Sequence, residues 1–151
     1  ELHWSLREDV RVTVLERANA RALECSALPY RPEVIVVDVS FISLEKVLPA
    51  VLACGAPGGH DCLAMVKPQF EVGRERLGKG GVVRSAADRR DAIGVVAACG
   101  AAAGASVLGF APSGLPGPSG NRETFVWFGE AGRAGAVAPE DVPAALAEVD
   151  A

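Results

Sequence analysis

The chain has 151 residues, half of them hydrophobic and 23% charged, which is enough for one domain with a sizeable core and excludes a disordered polypeptide. Its formal net charge of −4 excludes the overall basic footprint of a nucleic-acid-coating protein. The apolar runs are too short to cross a bilayer and no signal peptide opens the sequence, so a cytoplasmic protein with no membrane partner is expected.

The charge is unevenly spread. Residues 67–90 hold seven Lys/Arg against three Asp/Glu, a local basic patch between two acidic flanks. A solvated surface loop is the plainer explanation of that patch. The four cysteines, Cys25, Cys54, Cys62 and Cys99, form no C-x-x-C pair and no metal-ligand spacing with His3 or His60. No metal site and buried free thiols are therefore expected.

In chain order, Leu2 to Arg7 reads as the end of a helix, and Val10 to Glu16 alternates well enough for a strand. A polar turn follows at Arg17–Arg21. Val34-Ile35-Val36-Val37 then runs straight into Asp38. An uninterrupted β-branched run predicts a strand buried on both faces, as in a parallel sheet. Asp38 falls at its carboxyl end, where ligands bind in open α/β sheets. A helix cap or a simple ion pair would also account for it. Ser43 is a suitable N-cap, and apolar residues from Leu44 to Leu52 recur at helical spacing up to Gly55. Pro49 disturbs that helix by removing an internal donor.

Cys62 to Val66 predicts a second buried strand, ending at Lys67-Pro68. Gln69 to Arg84 is a long glycine-rich connection of the kind that is usually functional or mobile. Ser85 with Asp88 predicts a cap for a helix over Ala86–Ala103, stopped by Gly104. Val107 to Phe110 is a third strand, Pro112 to Asn121 a turn segment, and Thr124 to Phe128 a central strand. Pro139 to Val149 reads as a short amphipathic helix.

The layout is α/β with a mostly parallel sheet. The turn segment before the last strand is too short for a parallel crossover, so the last two strands should pair antiparallel. One reversed strand on such a sheet is typical of Rossmann-like methyltransferases. This order brings Asp38, Lys67 and Glu123 to one edge of the sheet. Opposite charges converging there suggest a site, although a structural ion-pair cluster would look the same in sequence. Gly73 to Gly80 fits G-x-x-x-x-G-K, but Gly80 stands where a phosphate loop needs Ser or Thr, which sets that motif aside.

Four blocks carry a family resemblance: V-D-V-S-F-I-S-L (37–44), V-K-P-Q-F-E-V-G-R-E-R (66–76), G-K-G-G-V-V-R (78–84) and L-P-G-P-S-G-N-R-E-T-F (115–125). In this order they resemble the TlyA-type, hemolysin A family of FtsJ-like ribosomal RNA 2′-O-methyltransferases. The resemblance runs from about Leu2 to Phe128. It implies a Rossmann-like methyltransferase fold, S-adenosylmethionine as cofactor, ribosomal RNA as partner and a Lys-Asp-Lys-Glu tetrad. Asp38, Lys67 and Glu123 match its second, third and fourth members, and the first lysine has no counterpart. The family's N-terminal S4-type RNA-binding domain and glycine-rich cofactor loop also have none. The expectation is thus a partial methyltransferase domain over residues 1–151, with a core to about 130 and a tail from 131. It is expected to be a truncated form, inactive by itself.

The resemblance gives the residues roles. Lys67 would orient a ribose 2′-hydroxyl and stabilise its developing alkoxide charge, with Asp38 and Glu123 holding the ammonium in place. Asn19, Asp38, Val39, Ser40 and Phe41 are the candidates for cofactor binding. Arg74, Arg76, Lys79 and Arg84 are the candidates for RNA phosphates. The rival readings are a non-catalytic RNA- or ribosome-binding fragment and a membrane-active hemolysin. The last is disfavoured because the sequence has no basic amphipathic helix.

Overall fold

The structure is a computed structural model that describes residues 2–149. Its elements in chain order are α1 (Trp4–Arg7), β1 (Val34–Val37), α2 (Leu48–Leu52), β2 (Asp61–Val66), α3 (Pro68–Glu71), α4 (Ala86–Ala102), β3 (Ser106–Pro116), β4 (Arg122–Gly129) and α5 (Val142–Val149), with short 3-10 turns between them. The four strands form one sheet in the order β1-β2-β4-β3. β1 and β2 are parallel, and β4 lies antiparallel between β2 and β3. The Rossmann-like α/β reading therefore holds, including its single reversed strand.

The two faces of the sheet differ. Residues paired across strands share a face, and alternation separates the faces. Val37, Cys62, Ala64, Val66, Val107, Val126 and Phe128 point to one face and are buried against α2 and α4. Ala92, Ile93, Val96 and Ala97 of α4 complete that core. Packing is close: a Cβ on Gly100 would sit 2.2 Å from the Phe128 ring, so only glycine lets α4 approach. The opposite face presents Val34, Val36, Leu63 and Trp127, all exposed. Val36 pairs with Leu63 and Leu63 with Trp127, so they form one apolar row across three strands.

β1 is accordingly not the strand buried on both faces that its sequence predicts. It lies at the edge of the sheet, and Val34 and Val36 are about two-thirds exposed, because no layer covers their side among the described residues. Val10 to Glu16 does not form a strand. Val10 is fully exposed and, among the described residues, the segment has no neighbouring strand to complete a ladder, so its alternation has nothing to satisfy.

Local signals fare better. Ser85 caps α4 by accepting the Asp88 N–H at 3.2 Å, and the chain turns away at Gly104 with φ +91°. The predicted helix over Leu44–Leu52 is split: a 3-10 turn at Leu44–Lys46 precedes α2, and Pro49 occupies the first turn of α2, where its missing N–H costs nothing. β3 runs through Pro112 to Pro116, beyond the predicted end, because the irregular stretch after Pro112 stays on the edge beside β4. The tail forms the predicted helix α5, with Leu146 buried.

The cysteine expectation needs correction. Cys25 and Cys54 are joined by a disulfide, with 29 residues of separation and 5.0 Å between their Cα atoms. Tertiary proximity, not sequence spacing, makes this pair. Cys62 and Cys99 are free. Burial pushes the Cys62 thiol up to about 12, so it is inert in the fold. Among the described residues, no group of His, Cys, Asp and Glu could hold a metal ion, and no helix is long and apolar enough to cross a membrane.

Candidate functional site

Parallel pairing puts the carboxyl ends of β1 and β2 side by side. β2 stops at Lys67 because Pro68 has no N–H to continue the ladder and holds the preceding residue extended. The ammonium of Lys67 lies 2.6 Å from the Asp38 carboxylate and donates to the Ser40 hydroxyl at 3.2 Å. The Lys67 side chain is only 14% exposed, whereas Asp38 is 57% exposed. A mostly buried cation is thus held against a carboxylate that faces solvent.

Beside them stands Phe41, which is 92% exposed and has φ +62°, a left-handed backbone unusual for a bulky side chain. Its ring meets Phe70 at 5.1 Å between centroids. From α3, the Glu71 carboxylate accepts the Ser43 hydroxyl at 2.7 Å and the Leu44 N–H at 3.0 Å.

Glu123 is one step beyond the last β2–β4 pair, Val66 with Thr124, and so falls opposite Lys67. It is buried, and its Oε1 has no hydrogen-bond partner. A Cβ on Gly117 would sit 2.6 Å from that oxygen, so any larger residue there would push the Glu123 carboxylate aside. Two of the three expected groups are in direct contact. The third stands at the same edge, in the wall of a shallow cavity of about 330 Å³.

A sheet with one reversed strand between parallel neighbours, and a Lys–Asp pair at its carboxyl edge, can be compared with known proteins. The model of the FtsJ-like methyltransferase family matches residues 1–130. This chain belongs to the FtsJ-like methyltransferase family. It is 48% identical over 128 residues, 85% of its own length, to the 16S/23S rRNA (cytidine-2′-O)-methyltransferase TlyA of Mycobacterium tuberculosis. It is 41% identical over 145 residues to the rRNA methyltransferase YqxC of Bacillus subtilis, described as putative. It also resembles the solved structure of a putative hemolysin from Streptococcus thermophilus, with a TM-score of 0.86, 34% identity and 98% of this chain covered. The chain spans about half the length of these relatives: 47% of the first, 51% of the second and 54% of the third.

In this FtsJ-like domain the cofactor candidates fall into two groups. Asp38 and Val39 line a groove of about 320 Å³ along the open edge of β1, closed on its far side by Ala20, Leu23 and Leu28. An apolar groove ending on a carboxylate suits the flat base and polar ribose of a nucleoside. Asn19, Ser40 and Phe41 are not in the groove wall. The Asn19 side chain is spent on the Arg21 N–H at 3.1 Å, and Ser40 is held by Lys67. The glycine-rich stretch of residues 73–81 forms 3-10 turns. It does not lead directly into a helix, since α4 begins at Ala86.

The RNA candidates also separate. Arg74, Lys79 and Arg84 are exposed. Arg76 is exposed too, but its guanidinium lies 3.2 Å from Asp91 and 3.5 Å from Asp88, which balances its charge. Residues 78–84 are pinned by Asn121, which sequence reasoning did not single out. Its amide is fully buried, accepts the Val83 N–H at 2.9 Å and donates to the Gly81 carbonyl at 3.0 Å. The basic loop and the turn before Glu123 are therefore one unit. Glu71 and Phe70 were missed as well. Their spacing from Lys67, three and four residues, was the available signal.

Proposed function

We propose that this chain is the catalytic portion of a cytoplasmic S-adenosylmethionine-dependent ribosomal RNA 2′-O-methyltransferase, acting on a cytidine ribose. The observation that carries this reading is the mostly buried Lys67 ammonium paired with Asp38 at the carboxyl edge of the sheet. The family match and the relatives named as rRNA methyltransferases support it. When bound, S-adenosylmethionine supplies an electrophilic methyl group. Asp38 and Val39, in the groove wall, would hold the nucleoside part of that cofactor.

Lys67 has one role at a stated atom: its Nζ donates to the incoming 2′-oxygen and stabilises negative charge as that oxygen loses its proton. Asp38 holds the ammonium in place. The unpartnered Glu123 Oε1 is available to a donor on the RNA or to Lys67 after a side-chain shift. Phe41, exposed beside the pair, offers a face for stacking a base at the target. Arg74, Lys79 and Arg84 would contact backbone phosphates.

The test is transfer of labelled methyl from S-adenosylmethionine to ribosomal RNA, using this chain joined to the part of the Bacillus subtilis relative that it does not cover. Lys67→Met should cut the rate by roughly 100-fold or more. A target lacking the 2′-hydroxyl should accept no methyl. Absence of transfer by the joined wild-type protein would reject the reading.

A further inference from the structure

We propose that Glu71 is a positioning residue for the reaction inferred above, a clamp that registers the segment 38–45 against Lys67. Lys67 is the extended N-cap of the short helix α3, which carries Phe70 and Glu71, and all three reach the same opposing segment. Each grips a different part of the same opposing segment. Lys67 holds Asp38 at 2.6 Å and Ser40 at 3.2 Å. Phe70 touches Phe41 at 5.1 Å between ring centroids. Glu71 accepts from the Ser43 hydroxyl at 2.7 Å and the Leu44 N–H at 3.0 Å.

These grips are unequal. Asp38 is largely solvated, and ion pairs to exposed carboxylates hold little. The contact between Phe41 and Phe70 leaves Phe41 almost fully exposed. Hydrogen bonds to a charged carboxylate are stronger, and Glu71 makes two, to consecutive residues, in a half-buried setting. The second falls on Leu44, whose side chain is buried in the core.

Glu71 is not needed to cap the turn it touches. Ser43 already does that by accepting the Glu45 N–H at 3.1 Å. The bonds from Glu71 instead cross between segments 27 and 28 residues apart. Their effect is to fix the far end of a segment whose near end carries Asp38. The strained backbone at Phe41 lies between these two ends and needs both to persist.

The experiment compares wild type, Glu71→Ala and Glu71→Gln. Proximity signals by NMR are recorded between the Phe41 and Phe70 rings and between the Lys67 and Asp38 side chains. The Met65–Phe125 signal across β2 and β4 serves as the fold control. Glu71→Ala should lose both site signals and keep the control. Glu71→Gln can accept from Leu44 and donate to Ser43, and should restore them. In the methyl-transfer assay of the joined protein, Glu71→Ala should lower kcat about tenfold or more with KM for the cofactor unchanged, and Glu71→Gln should recover it. Site signals that survive in Glu71→Ala would overturn the clamp, as would a kcat equal to wild type. A wild-type protein that transfers no methyl would instead overturn the proposed function, and the NMR comparison would still decide the clamp.

Discussion

The two faces of the sheet are built from the same kinds of residue and have opposite fates. Cys62, Ala64, Val126 and Phe128 are sealed beneath α2 and α4. Val36, Leu63 and Trp127, their neighbours by one position, are exposed on the other side. The difference is not hydrophobicity but whether a second layer exists. A helix layer on one face supplies the apolar transfer and close packing that hold the sheet. The open face contributes little to stability, and its apolar row is a natural place for association. The candidate site lies at the carboxyl ends of β1 and β2, where alternation carries Asp38 and Lys67 toward the open side.

The sharpest way to break this comparison is to truncate one residue on each face. Phe128→Ala should cost about 4 kcal/mol in urea unfolding, since the ring is fully buried against Gly100. Trp127→Ala, its sequence neighbour, should cost no more than about 1 kcal/mol; equal losses would show that the open face is covered in solution.

The disulfide extends the covered layer to the segment before β1, because Cys54 follows α2 and Cys25 lies in that segment. Reduction, or Cys25→Ser, should cost about 3 kcal/mol by loop closure, read as the shift in urea midpoint with and without thiol reductant.

A smaller effect is expected at Glu71, between the two regions. Burial is the largest influence on its carboxyl and raises its pKa above 4.5; the bonds from Leu44 and Ser43 act the other way, and Glu45 adds to the rise. The folded chain therefore binds this proton more tightly than the unfolded chain. This group's contribution to stability is greatest at low pH and declines as pH rises through its raised pKa. Glu71→Gln should remove that decline, measured as urea midpoint against pH for the two proteins. Smallest of all, Val36→Thr on the open face should change stability by no more than about 0.5 kcal/mol while reducing self-association in light scattering.

Much was legible in the sequence because it depends on local chemistry. Ser85 and Gly104 bracket α4, Pro68 ends β2, and the shortness of the link after β3 forces β4 to run antiparallel. The edge shared by Asp38, Lys67 and Glu123 follows from strand order alone. The fourfold β-branched run predicts β1 as a strand, which it is, and as a buried one, which it is not, since such a run does not state how many layers surround it.

What the sequence alone determined is the four strands of the sheet, the helices α4 and α5, the antiparallel run of the last strand and the identity of the charged groups at the strand ends, because caps, turns and periodicity act over a few residues. Only the tertiary structure decided which face is covered, that Cys25 meets Cys54, that Lys67 contacts Asp38 while one Glu123 oxygen is left unpaired, and that Glu71 and Asn121 fasten the surrounding loops. Those outcomes depend on contacts between segments far apart in the chain, and no local pattern encodes the distance between them.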